Sequence, residues 1–93
     1  MTVRVLPHPD VVARRLDDNV VLIHLDSNRI FTLNATGSRI WELLVAGNSP
    51  EEIETVLQGE FDVARKQIRL ELSSLVDEFL SEGLVVPSAR TAP

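Results

Sequence analysis

Apolar residues change their spacing partway along this chain, and the change marks where sheet gives way to helix. Val20-Val21-Leu22-Ile23-His24-Leu25 is β-branched and almost wholly apolar, which predicts a central strand covered on both faces. Val11 to Leu16 before it and Arg29-Ile30-Phe31-Thr32-Leu33 after it read as flanking strands. Asp17-Asp18-Asn19 and Asp26-Ser27-Asn28 separate the three, and such short polar clusters are turn chemistry. Three strands joined by two short turns predict an antiparallel meander. Alternation along the third strand puts Phe31 and Leu33 toward the core, with Ile30 and Thr32 on the other face.

From Asn34 onward the period is helical. Asn34 can cap a first helix carrying Ile40, Leu43 and Leu44, which Gly47 ends. Ser49-Pro50-Glu51-Glu52 is a second start, with a capping serine, proline at the first helical position and glutamate three residues after the cap. Ile53, Val56 and Leu57 follow on one face, and Gly59 is expected to close this helix. A third helix from Val63 or Arg65 to Ser81 carries Ile68, Leu72, Leu75 and Phe79 on one stripe, with Gly83 as its stop. Leu84-Val85-Val86 is expected to fold back onto the core. Strands followed by helices give an α+β domain with the helices on one face of a small sheet.

Ninety-three residues suffice for one domain. Residues 1–10, with two prolines, read as a flexible lead-in, 11–86 as the domain and 87–93 as a flexible tail. A net charge of −5 disfavours general binding to a phosphate backbone. With no cysteine, neither disulfides nor thiolate metal sites are available. No run approaches the ~18 apolar residues of a membrane span. The start lacks a basic segment followed by an apolar one, so a cytoplasmic protein is expected.

Leu33-Asn34-Ala35-Thr36-Gly37-Ser38-Arg39-Ile40-Trp41-Glu42-Leu43-Leu44, followed by Ser49-Pro50-Glu51-Glu52-Ile53 and later by Phe79-Leu80-Ser81-Glu82-Gly83-Leu84-Val85, resembles the coenzyme PQQ synthesis protein D family. The likeness runs from about Val11 to Val86. It implies a winged helix-turn-helix-like fold: a three-stranded antiparallel sheet followed by three helices. It also implies binding of the leader of a ribosomally made precursor peptide as an extra strand, between the third strand and the third helix. A chain with no second domain is similar to the free-standing members, such as the small leader-binding proteins of lasso-peptide pathways. Those work with a separate leader protease or another maturation enzyme.

On this chain that groove would use Arg29, Ile30, Phe31, Thr32 and Leu33, facing Arg65, Arg69, Leu72, Ser73 and Val76 of the third helix. The flank with Arg65, Arg69, Ser73, Val76 and Leu80 is mixed basic and apolar, suited to a leader with acidic and apolar anchors. Gln67, Glu71, Glu78 and Glu82 form the other flank, read as a solvated face. Arg65 and Arg69 are like charges four apart near a helix start, where the dipole disfavours cations, so they serve either a ligand or a carboxylate such as Asp62 or one on another element.

Trp41 reads as a partly buried core residue and His24 as a structural histidine inside a strand. Glu51, Glu52 and Glu54 suit the start of a helix better than a metal. No phosphate loop, paired metal-spaced histidines or cysteine nucleophile is present, so no enzyme, cofactor or metal is expected. The alternative from the same topology is a winged-helix DNA-binding regulator, which the acidic second helix and net charge disfavour.

Overall fold

The computed structural model of the chain describes residues 5–87. Its order is β1 (Val5–Pro7), β2 (Val11–Leu16), β3 (Asn19–His24), β4 (Arg29–Leu33), α1 (Ala35–Val45), α2 (Pro50–Glu60), α3 (Arg65–Ser81) and β5 (Val85–Pro87). The α+β class holds, with β2, β3 and β4 forming an antiparallel meander in that order. Both hairpin turns need a left-handed residue, and Asp17 (φ 57°) and Asn28 (φ 58°), two of the residue types that tolerate it, stand there.

The helices start where capping chemistry puts them. Asn34 Oδ1 accepts from the Gly37 N–H at 2.8 Å. Ser49 and Glu52 form a reciprocal capping box, each satisfying the other's backbone N–H. Gly59 does not close α2: the helix runs through it to Glu60 and is capped by Phe61. An isolated glycine costs a helix about 1 kcal/mol relative to alanine, which packing of Ile53 and Leu57 on the core exceeds. The end of α3 is a Schellman turn, with Gly83 left-handed (φ 72°), Gly83 N–H donating to Leu80 O and Leu84 N–H to Phe79 O.

One face of the meander packs on the helices. Val20, Leu22 and Leu33 from the sheet meet Ile40, Trp41, Leu44, Ile53, Leu57, Ile68, Leu72 and Phe79. Trp41 is fully enclosed rather than half-buried, with its ring edge-on to Phe79 at 5.4 Å between centroids. The other face of β3 is only partly covered, and Val12 and Ile30 beside it are exposed. Ser38 of α1 locks the two layers: its hydroxyl accepts from Val20 N–H at 2.7 Å and donates to Leu33 O at 3.2 Å.

Val5–Pro7, expected within a loose lead-in, instead form β1, which pairs antiparallel with β5 and buries Val5. Leu84 and Val85 return to the core as the sequence predicts. Residues 1–4 of the expected lead-in and 88–93 of the expected tail lie outside the described residues. His24 is buried, with Nε2 donating to Gly83 O at 3.1 Å. His8 accepts from Asp10 N–H and lies 4.8 Å from the His24 ring, which ties the β1–β2 turn to the start of β5.

Candidate functional site

Backbone pairing leaves two edges of the meander without a described partner strand, β2 and β4, and a groove lies beside β4. Leu25 N–H donates to Asp10 O, just past the end of the β2–β3 ladder. Residues of an antiparallel strand bond alternately to either side. Odd-numbered residues of β3 therefore bond toward β2 and even-numbered ones toward β4. The register pairs Val20 with Leu33, Leu22 with Phe31 and His24 with Arg29, so these three residues of β4 turn their backbone groups inward. Ile30 and Thr32 turn theirs to the open edge, where no described strand meets them. Free N–H and C=O groups of this kind can accept another strand.

A groove of about 470 Å³ runs between this edge and α3. Thr32, Leu33, Asn34, Thr36, Gly37 and Ile40 form one side, and Leu70, Glu71, Ser74, Leu75 and Glu78 the other. Gly37 keeps the floor low, since a Cβ there would stand 3.3 Å from Asn34 Oδ1 and 3.5 Å from Leu33 Cβ and Leu75 Cδ2. At the far end of β4, Arg29 pairs with Glu82 and bridges strand to helix, its guanidinium 5.2 Å from the Phe31 ring centroid.

The ten residues drawn from the sequence divide between this groove and other surroundings. Thr32 and Leu33 line it, Ile30 shares the open edge, and Phe31 packs half-buried against the core. Leu72 is inside the core, and Val76 packs against it from the side away from the groove. Ser73 is exposed on that same side. Arg65 and Arg69 both reach Glu54 of α2, at 3.2 and 3.3 Å. Glu71 and Glu78, read from the sequence as part of a solvated flank, line the groove wall.

Glu54 accounts for the two adjacent arginines. It is buried beside Ile53 and Leu57, a place no unpaired carboxylate would occupy. Burial works against its charge, and hydrogen bonds from Arg69 and Arg65 outweigh that, leaving its pKa below the usual carboxylate value. A carboxyl with a lowered folded-state pKa contributes stability above its unfolded pKa and loses it as pH falls through the folded one. Stability is therefore expected to drop on acidification below about pH 4.5. Urea denaturation from pH 6 to 3 (both values being about the range of carboxylate titration) checks this, because Glu54→Gln should flatten the acid slope. Glu60, held below its usual pKa by its hydrogen bond to Arg39, contributes to the slope that remains.

The sequence profile for coenzyme PQQ synthesis protein D matches residues 19–85. No curated protein matches. Two solved structures are similar. TbiB1 in complex with the TbiA(beta) leader peptide is 34% identical, with a TM-score of 0.81 over 92% of this chain and 98% of that one. A lasso peptide synthetase B1 complexed with the leader peptide is 25% identical, with a TM-score of 0.84 over 90% of this chain and 99% of that one.

Proposed function

Because the chain belongs to the coenzyme PQQ synthesis protein D family, we propose that it binds the leader segment of a ribosomally synthesised precursor peptide and presents the rest of that peptide to a leader protease or other maturation enzyme. The observation that carries this reading is the open β4 edge, with Ile30 and Thr32 offering unpaired backbone groups beside a groove. The leader adds as a fourth strand of the meander, its backbone bonded to β4 and alternate side chains directed at α3. Two solved relatives are complexes with leader peptides, which supports the same ligand here.

In this reading Arg29 to Leu33 form the docking strand, and Leu70, Glu71, Ser74, Leu75 and Glu78 form the opposing wall. Arg65 and Arg69 act from the far side of α3, by fixing it to α2 through Glu54. The domain performs no bond-breaking step itself. It raises the local concentration of substrate at the enzyme and fixes its register.

Titration with a synthetic leader, from the precursor encoded beside this chain, tests the reading through backbone amide NMR shifts. Saturable binding is expected, with shifts on Ile30 to Leu33 and on Leu70 to Glu78. No binding at roughly 1 mM peptide, equivalent to about −4 kcal/mol, would overturn it. Specific, steeply salt-dependent DNA binding in its place would favour the winged-helix regulator.

A further inference from the structure

We infer that the leader stretch seated in this groove is basic and apolar: it sets a lysine or arginine against Glu71 and Glu78, and an apolar side chain against Leu33, Ile40, Leu70 and Leu75. The inference rests on the leader-binding reading and specifies the chemistry of the ligand. It reverses the acidic leader that the arginines of α3 suggest in the sequence.

The charges around the groove carry the argument. Among the described residues, Glu71 and Glu78 are the only ionisable side chains that line it. Every described arginine near it is already matched. Arg29 pairs with Glu82, Arg39 with Glu60 and Glu42, Arg15 with Glu42, and Arg65 and Arg69 with Glu54. Among the described residues the Glu71 carboxylate accepts a hydrogen bond only from the neutral amide of Gln67, and the Glu78 carboxylate has neither a hydrogen bond nor an ion pair. Two exposed, unneutralised carboxylates therefore face the space an added strand would occupy.

Glu78 is also misplaced for the stability of its own helix. It lies in the last turn of α3, where the negative end of the helix dipole disfavours an anion, and no basic residue of that turn offsets it. A cation arriving with a ligand would relieve this repulsion, so the preference is built into the free protein. Glu71 and Glu78 are two helical turns apart, about 10 Å along the axis. Groove-facing side chains of an added strand recur about every 7 Å. One long basic side chain between the two carboxylates can reach either, and its neighbour on the same face meets the apolar side chains.

The test combines charge reversal in a synthetic leader with charge reversal in the protein. Each lysine or arginine in the leader stretch whose binding shifts the β4 amides is changed to glutamate. Each peptide is then titrated against the wild-type protein and its Glu71→Lys and Glu78→Lys variants, with Glu71→Gln and Glu78→Gln as milder changes and circular dichroism to verify folding. Reversal at the facing position is expected to weaken binding about tenfold, and Glu78→Lys to restore most of that loss. Raising salt should weaken the native pair and strengthen the doubly acidic one. A leader that binds at β4 without a basic residue facing α3, or with affinity unchanged by the swaps, would overturn this inference and leave leader binding intact. A leader that does not bind at all would overturn both.

Discussion

Replacing Thr32 by proline is expected to abolish most of the peptide affinity while leaving the domain folded. Thr32 turns its N–H to the open edge of β4, so the substitution breaks no bond within the meander. Proline is tolerated on edge strands when its missing donor would have faced outward. A strand adding at this edge would lose one donor and leave its own carbonyl unsatisfied, costing about 1–3 kcal/mol, or roughly fivefold to more than a hundredfold in Kd. Phe31→Pro is the matched control. Phe31 bonds inward to Leu22, so proline there is expected to break the β3–β4 ladder and unfold the sheet. If Thr32→Pro bound the leader as well as wild type, strand addition at β4 would be wrong whatever the affinity.

Phe79→Ala is the substitution expected to cost the most stability. Phe79 is 1% exposed and meets the edge of Trp41 in the middle of the helical layer. Truncating a buried phenylalanine costs about 3–5 kcal/mol, from lost transfer energy and the cavity left behind. A domain of this size holds about 5–15 kcal/mol in all. The variant should therefore unfold at a much lower urea concentration, measured by tryptophan fluorescence of Trp41. Leu16→Ala offers a comparison, since Leu16 is 59% exposed and its loss should change stability by no more than about 0.5 kcal/mol.

Most of the fold was legible because its signals are local. The Ser49 capping box, the Asn34 cap and the left-handed Gly83 each announce a helix end within four residues of chain. The inward phase of Phe31 and Leu33 followed from strand alternation. β1 was not legible, because Pro7 and Pro9 mask a short strand whose partner lies at the other end of the described chain. Of the candidate groove, the β4 side was named from sequence and the facing flank of α3 was not. Helix α3 has one apolar stripe and two polar flanks, and nothing in its own periodicity says which flank meets β4. That depends on where α2 lies, and the informative residue was Glu54: an acid next to Ile53 on a buried stripe needs cations, and Arg65 and Arg69 supply them.

The pairing of β1 with β5 also bears on how the molecule assembles. It joins the ends of the described chain and so closes the longest loop in the domain. Chain entropy makes such contacts late ones, after the β2–β3–β4 hairpins and the helix pairs have formed. Substitutions at Val5 or Val85 should accordingly leave the refolding rate nearly unchanged and accelerate unfolding. The clasp then works as a kinetic latch, setting how long the native state lasts rather than how quickly it is reached.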